Sequence, residues 1–164
     1  MITKSILQVL LEDESRWDSL LINKRKPETC RLFTTYLGNR ICLHQFAPAD
    51  ETEAFWHPHP WPAVFYILSG GYDLYISQSV NREESKTDDE VKVAMNVDSY
   101  YTMLSPLSWH KIVPRTTTWT MMINGPEFPA NIQHVATRRT KGKDLEKLSP
   151  TQRDQMFFVF RNLL

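Results

Sequence analysis

His57-Pro58-His59-Pro60-Trp61-Pro62-Ala63-Val64-Phe65-Tyr66-Ile67-Leu68-Ser69-Gly70-Gly71-Tyr72 is the stretch on which the reading of this chain turns. Side chains two residues apart in an extended chain point to the same face, so His57 and His59 can address one point in space. Pro58 cannot donate to a strand ladder, which puts the pair at a strand start, a bulge or a sheet edge. The apolar and aromatic run that follows predicts a strand over 62–69. Gly70-Gly71 then predicts a hairpin turn into a strand over 72–79.

Working outward, the same short apolar runs recur. They predict strands at 30–37, 41–47, 91–96, 100–105, 109–114, 117–124 and 131–137, with Gly38-Asn39 as the turn between the first two. The ends of the chain read differently. Leu10, Trp17, Leu20 and Leu21 lie near helical spacing, predicting a helix over about 5–22 that Lys24, Arg25, Lys26 and Pro27 terminate. Ser149-Pro150 reads as a helix cap followed by proline in the first turn, opening a helix over 150–163 whose apolar stripe is Met156, Phe157, Phe160 and Leu163. Asn81–Glu90 is charged and turn-rich, an exposed loop. The basic stretch Arg138–Lys143 reads as a solvated loop. Many short strands with helices only at the ends predict an all-β sandwich or barrel occupying residues 1–164 as one domain, with the barrel over about 30–137.

Composition narrows the function classes. The chain has 164 residues, 41% of them hydrophobic and 12% aromatic, enough to build a core. Lys+Arg and Asp+Glu are both 19, so there is no net basic field of the kind that nucleic acid or an anionic membrane requires. No apolar run approaches the roughly 20 residues of a membrane helix. The apolar start, Met1–Leu11, runs into Glu12, Asp13 and Glu14 without the small-residue site of a secretory leader. Cys30 and Cys42 are too few for a disulfide framework and fit no zinc-finger spacing, so reduced thiols in a cytoplasm are expected. The sequence lacks a nucleophile elbow, a phosphate-cradling glycine loop, a dinucleotide fingerprint and a Cys-x-x-Cys pair, which argues against acyl transfer, nucleotide hydrolysis and hydride transfer.

A third histidine, His110, follows a second strand–turn–strand in Ser105-Pro106-Leu107-Ser108-Trp109-His110. A His-x-His, a glycine turn and then an isolated histidine after a proline-containing turn resemble the two motifs of the cupin superfamily. Leu43-His44-Gln45-Phe46, His57-Pro58-His59-Pro60-Trp61, Ile67-Leu68-Ser69-Gly70-Gly71-Tyr72 and Trp119-Thr120 through Gly125-Pro126 look like a group of small bacterial and phage cupins. The resemblance spans about residues 40–126. It implies a double-stranded β-helix, the cupin jelly-roll barrel, holding one divalent transition metal (Fe, Zn or Ni) on His57, His59 and His110. It also implies a small-molecule ligand or substrate and pairing into a homodimer.

Many cupins add a glutamate shortly after the second histidine. Residues 60–72 contain no carboxylate, so the set reads as three histidines. That set is similar to the iron site of three-histidine thiol dioxygenases, in which an arginine on an earlier strand holds the substrate carboxylate. Arg31 and Arg40 are both candidates here. His44 shares strand parity with Cys42 and Phe46 and is expected to stand behind or beside the metal rather than on it. Tyr66, Tyr72, Tyr100 and Tyr101 are candidate pocket hydroxyls, with cross-strand packing as the plainer role, and His134 is expected at the surface. Three functions follow from this reading: a metal-dependent enzyme, dioxygenase-like if the metal is iron; a non-catalytic ligand-binding or sensing cupin; and a barrel that a structural metal staples.

Overall fold

The computed structural model describes residues 4–78, 89–129 and 146–164. The chain opens with α1 (Lys4–Glu12) and a single 3-10 turn, and ends in α2 (Pro150–Leu163). Between them the described residues form ten strands: β1 (Asp18–Ile22), β2 (Thr29–Tyr36), β3 (Asn39–Phe46), β4 (His57–Pro58), β5 (Ala63–Ser69), β6 (Gly71–Ser77), β7 (Val91–Asn96), β8 (Tyr100–Met103), β9 (Trp109–Pro114) and β10 (Thr118–Asn124). They form two antiparallel sheets, one ordered β1-β2-β3-β10-β5-β8 and the other β4-β9-β6-β7. The described strands do not close into the expected barrel; the fold is two sheets, with the helices against one of them.

The six-stranded sheet is buried on both faces. Leu32, Leu43, Trp119 and Met121 point outward and meet Leu7, Leu10 and Leu11 of α1 and Met156, Phe157 and Phe160 of α2 in the main core. Alternate residues on the same strands point between the sheets. The register sets them in cross-strand layers: Arg31, His44, Thr120 and Ile67; then Phe33, Cys42, Met122 and Phe65; then Thr35, Arg40, Asn124 and Ala63. This alternation follows from the two-residue period of a strand.

Three expectations change. The helix expected over 5–22 stops at Glu12, and Asp18–Ile22 is an edge strand paired with β2. The polar run Glu12-Asp13-Glu14-Ser15 breaks the helix, and Asp13 accepts a hydrogen bond from the Ser15 backbone instead. The carbonyls at the end of α1 are taken by other partners: Leu10 O by the Trp17 indole at 2.8 Å and Leu11 O by Arg161 at 2.7 Å. The first hairpin turns at Leu37-Gly38, one residue early. Both residues have positive φ, 48° and 75°, the type I′ pattern that suits the twist of the strands it joins. Gly70-Gly71 makes no hairpin, because β5 and β6 belong to different sheets and the glycines turn a corner between them. Ser149 caps α2, with Gln152 returning the bond to the Ser149 backbone. No helix among the described residues is long and apolar enough to cross a membrane. The strand expected at 131–137, the basic stretch 138–143, His134 and most of the charged loop at 81–90 lie outside the described residues.

Candidate metal centre

β4 is the edge strand of the four-stranded sheet, so Pro58 costs no ladder bond there. It pairs His57 with His110 of β9 across the ladder. His59, two residues on, returns to the same side. The result is a convergence of imidazoles: His110 Nε2 lies 2.8 Å from His57 Nε2 and 2.9 Å from His59 Nε2. Three nitrogens about 2.1 Å from one ion at right angles to one another stand roughly 3 Å apart, so the spacing fits a shared metal ion. Among the described residues these are the three that gather in this way.

The electrostatics agree with the geometry. Burial pushes the His57 imidazolium pKa down to about 4, and His59 and His110 well below their ordinary value. Neutral imidazole is the form that binds metal. The far nitrogens are partly committed. His57 Nδ1 faces the Phe55 carbonyl at 3.5 Å, which favours a proton there and leaves Nε2 a lone pair. His110 Nδ1 lies 3.0 Å from the Tyr101 hydroxyl, itself 3.3 Å from the Tyr72 hydroxyl.

The histidines line a cavity of about 90 Å³ between the sheets. Phe65, Ile112 and Met122 give it apolar walls, and Tyr72 and Tyr101 supply hydroxyls. Burial raises both tyrosines, so they stay neutral donors. Among the described residues no carboxylate lines the cavity. Its fixed charge is Arg31, whose Nε donates to His44 Nε2 at 2.9 Å. That bond occupies the His44 lone pair. His44 also lies 3.4 Å from Thr120 Oγ1 and stacks on Phe46, so it orients the arginine rather than joining the three-histidine cluster. No carboxylate among the described residues pairs with Arg31.

The remaining candidates stand elsewhere. Arg40 lies two layers from His44 along β3, with its guanidinium over Phe33 at 4.3 Å. Its Nε, with Trp61 Nε1 and Asn124 Oδ1, is buried without a hydrogen-bond partner. Tyr66 points to the helix-covered face and stacks on the exposed Tyr100. Cys42 is buried in the apolar layer with Phe65 and Met122. Sequence reasoning did not single out Phe55, which carries both a carbonyl for His57 and a ring in the cavity wall. Its only local signal is an aromatic residue two positions before the first histidine.

No protein-family model matches the sequence, and no curated protein matches it either. Solved structures do resemble the fold. A crystal structure of Fe(II)-HppE with the alternative substrate (S)-1-HPP superposes with a TM-score of 0.54 at 7% identity, covering 68% of this chain and 57% of that one. The hydroxypropylphosphonic acid epoxidase from S. wedmorenis gives 0.53 at 7% identity, covering 68% and 56%. The chain thus spans less than three fifths of the length of these structures, and at this identity the likeness is one of fold. Two antiparallel sheets, this likeness and the histidine cluster are consistent with a cupin-like β fold that can hold a divalent metal.

Proposed function

We propose that the chain works as one unit, a metal-dependent cupin-type enzyme acting on a small anionic molecule, with His57, His59 and His110 as the metal ligands. The observation that carries this reading is the meeting of three Nε2 atoms from neutral imidazoles at the wall of a small cavity. Three neutral ligands leave the full charge of a divalent ion uncompensated and coordination positions free, which attracts an anion. Arg31 adds a second positive charge with no acidic partner among the described residues. The phosphonic acid named for the epoxidase of similar fold is an anion of this class.

When bound, the metal would act as a Lewis acid, or support oxygen chemistry if it is iron. The chain's own residues do the rest. The Phe55 carbonyl and the Tyr101 hydroxyl orient His57 and His110. His44 holds the Arg31 guanidinium in place, and Arg31 receives the anionic end of the ligand. Phe65, Ile112 and Met122 exclude water. The Tyr101 and Tyr72 hydroxyls are the protic groups in the wall, able to hold or pass a proton at Tyr101 Oη.

One observation favours a second reading. Among the described residues the wall has no carboxylate to serve as general base, which suits a non-catalytic binding or sensing cupin. The deciding experiment is elemental analysis of the purified protein beside a His57→Ala/His110→Ala variant. About one equivalent of iron, zinc or nickel in the parent and none in the variant is expected. Equal metal in both, or none in the parent, overturns the metal reading. Turnover of small acids by the loaded parent then separates enzyme from binder.

A further inference from the structure

Two hollows share Phe55. One is the inner cavity of about 90 Å³. The other is a shallow outer depression of about 400 Å³, lined by Asn23, Lys24, Arg25, Lys26, Glu53 and Phe55. The Phe55 ring packs tilted against His57 with centroids 4.8 Å apart, and the Arg25 guanidinium carbon lies 5.0 Å from the same ring. A β-bridge between Lys26 and Ala54 ties the basic loop to the segment carrying Phe55. Phe55 is therefore a partition held between the metal-site histidine and the basic loop.

The two hollows differ in what they can take. The inner cavity, about 90 Å³, is much the smaller of the two and suits the head of a molecule. Among the described residues the outer depression is lined by Lys24 and Lys26, with Arg25 over the Phe55 ring and the carboxylate of Glu53 beside them. Lys24 and Lys26 are exposed, and no carboxylate among the described residues pairs with them.

We propose that the site takes a bifunctional acid. One anionic group occupies the inner cavity beside Arg31 and the histidines. A second, a short carbon chain away, rests on the Lys24–Lys26 loop, and Phe55 sets the chain length that passes between them. The inference rests on the anion-binding reading of the inner cavity and adds a second recognition point to it. Two separated charge contacts discriminate between ligands more strongly than one, because a ligand lacking the second group leaves Lys24 and Lys26 unmatched.

The test is calorimetric titration of the full-length Co(II)-loaded protein with acetate, succinate, glutarate and adipate. At least one dicarboxylate is expected to bind ten-fold or more tightly than acetate. In Lys24→Glu/Lys26→Glu that advantage should vanish, while acetate, which lacks the second group, keeps its affinity. Phe55→Leu should move the optimum to a different chain length. Equal affinities across the series, or an advantage that survives the charge reversal, overturn the proposal. Acetate binding without any dicarboxylate gain sinks this inference alone, whereas failure to hold cobalt sinks the metal reading. In that event the same series on the metal-free chain decides the bifunctional site by the same criteria.

Discussion

At the scale of single residues, the site depends on a proline placed where it does no harm. Pro58 separates two histidines by the strand period and lies on an edge, so both imidazoles reach His110 without a lost ladder bond. This part was legible, because same-face geometry follows from spacing alone. The choice between Arg31 and Arg40 was not. Both point between the sheets, and only the β2–β3 register separates them, setting Arg31 beside His44 and Arg40 two layers away. A turn placed one residue later would have set Arg31 opposite Phe46 instead. Two predictions belong here. Tyr101→Phe keeps the ring stack on Phe65 but removes the hydroxyl beside His110, and metal affinity should fall about 10–100-fold with the fold retained. Competition with a chromophoric chelator measures it, and an unchanged affinity would mean that Tyr101 merely packs. Arg31→Gln should weaken acetate binding to the metal-loaded protein at least ten-fold while leaving metal content intact. Calorimetry beside elemental analysis separates the two effects.

At the scale of elements, two glycines with positive φ serve different ends, and substitution should tell them apart. Gly38 has open space around its missing side chain, so Gly38→Ala meets only the backbone preference against φ of 75° and should cost about 1 kcal/mol. Gly70 turns the chain from one sheet to the other with φ of 79°, and a Cβ there would lie 2.6 Å from Thr117 O and 3.0 Å from Thr118 Cα. Those are backbone atoms that cannot swing aside, so Gly70→Ala should cost roughly 2–4 kcal/mol. Urea denaturation of the two variants checks the order, and equal costs would mean that the corner relaxes freely. The same corner shows why sequence misplaced it. Two adjacent glycines between strands carry the local signature of a hairpin, and whether the next strand pairs with the last is decided by which sheet has a vacant edge. β1 was hidden for a related reason. Leu20 and Leu21 continue the apolar spacing of α1, and only pairing with β2 makes them a strand. The C-terminal helix, by contrast, announces itself with Ser149-Pro150 and Gln152, since capping is local chemistry.

At the scale of the whole molecule, the six-stranded sheet is a shared wall. The helices bury one face of it and the cavity lies against the other, so the state of the cavity's histidines bears on global stability. His57, His59, His110 and His44 are all held below their ordinary pKa, chiefly by burial. Protonation is therefore disfavoured in the folded chain. The unfolded chain takes up protons first as pH falls below about 6.5. Where the unfolded state binds more protons, stability rises with pH. For the metal-free protein this gives a flat stability above about pH 7 and a steady loss as pH falls from 6.5 toward 4, the window between the unfolded value and the folded value of about 4 for His57. That histidine alone accounts for about 3 kcal/mol across the window, since binding one extra proton in the unfolded chain is worth about 1.4 kcal/mol per pH unit. The other three, held down by burial in the same direction, add to the loss. A bound metal ion stabilises the fold while the ligands are neutral, so the loaded protein should lie above the metal-free one at pH 7 and converge on it in acid. Urea midpoints of chelator-treated and cobalt-loaded protein between pH 5 and 8 measure both curves, in a range where most carboxylates do not yet titrate. His44→Phe removes one buried titrating group without touching the three converging nitrogens, and it should flatten the metal-free curve while leaving the cobalt gain at pH 7. A metal-free midpoint that stays constant from pH 7.5 to 5 would show that these imidazoles are solvated in solution, and their burial between the sheets would have to be abandoned.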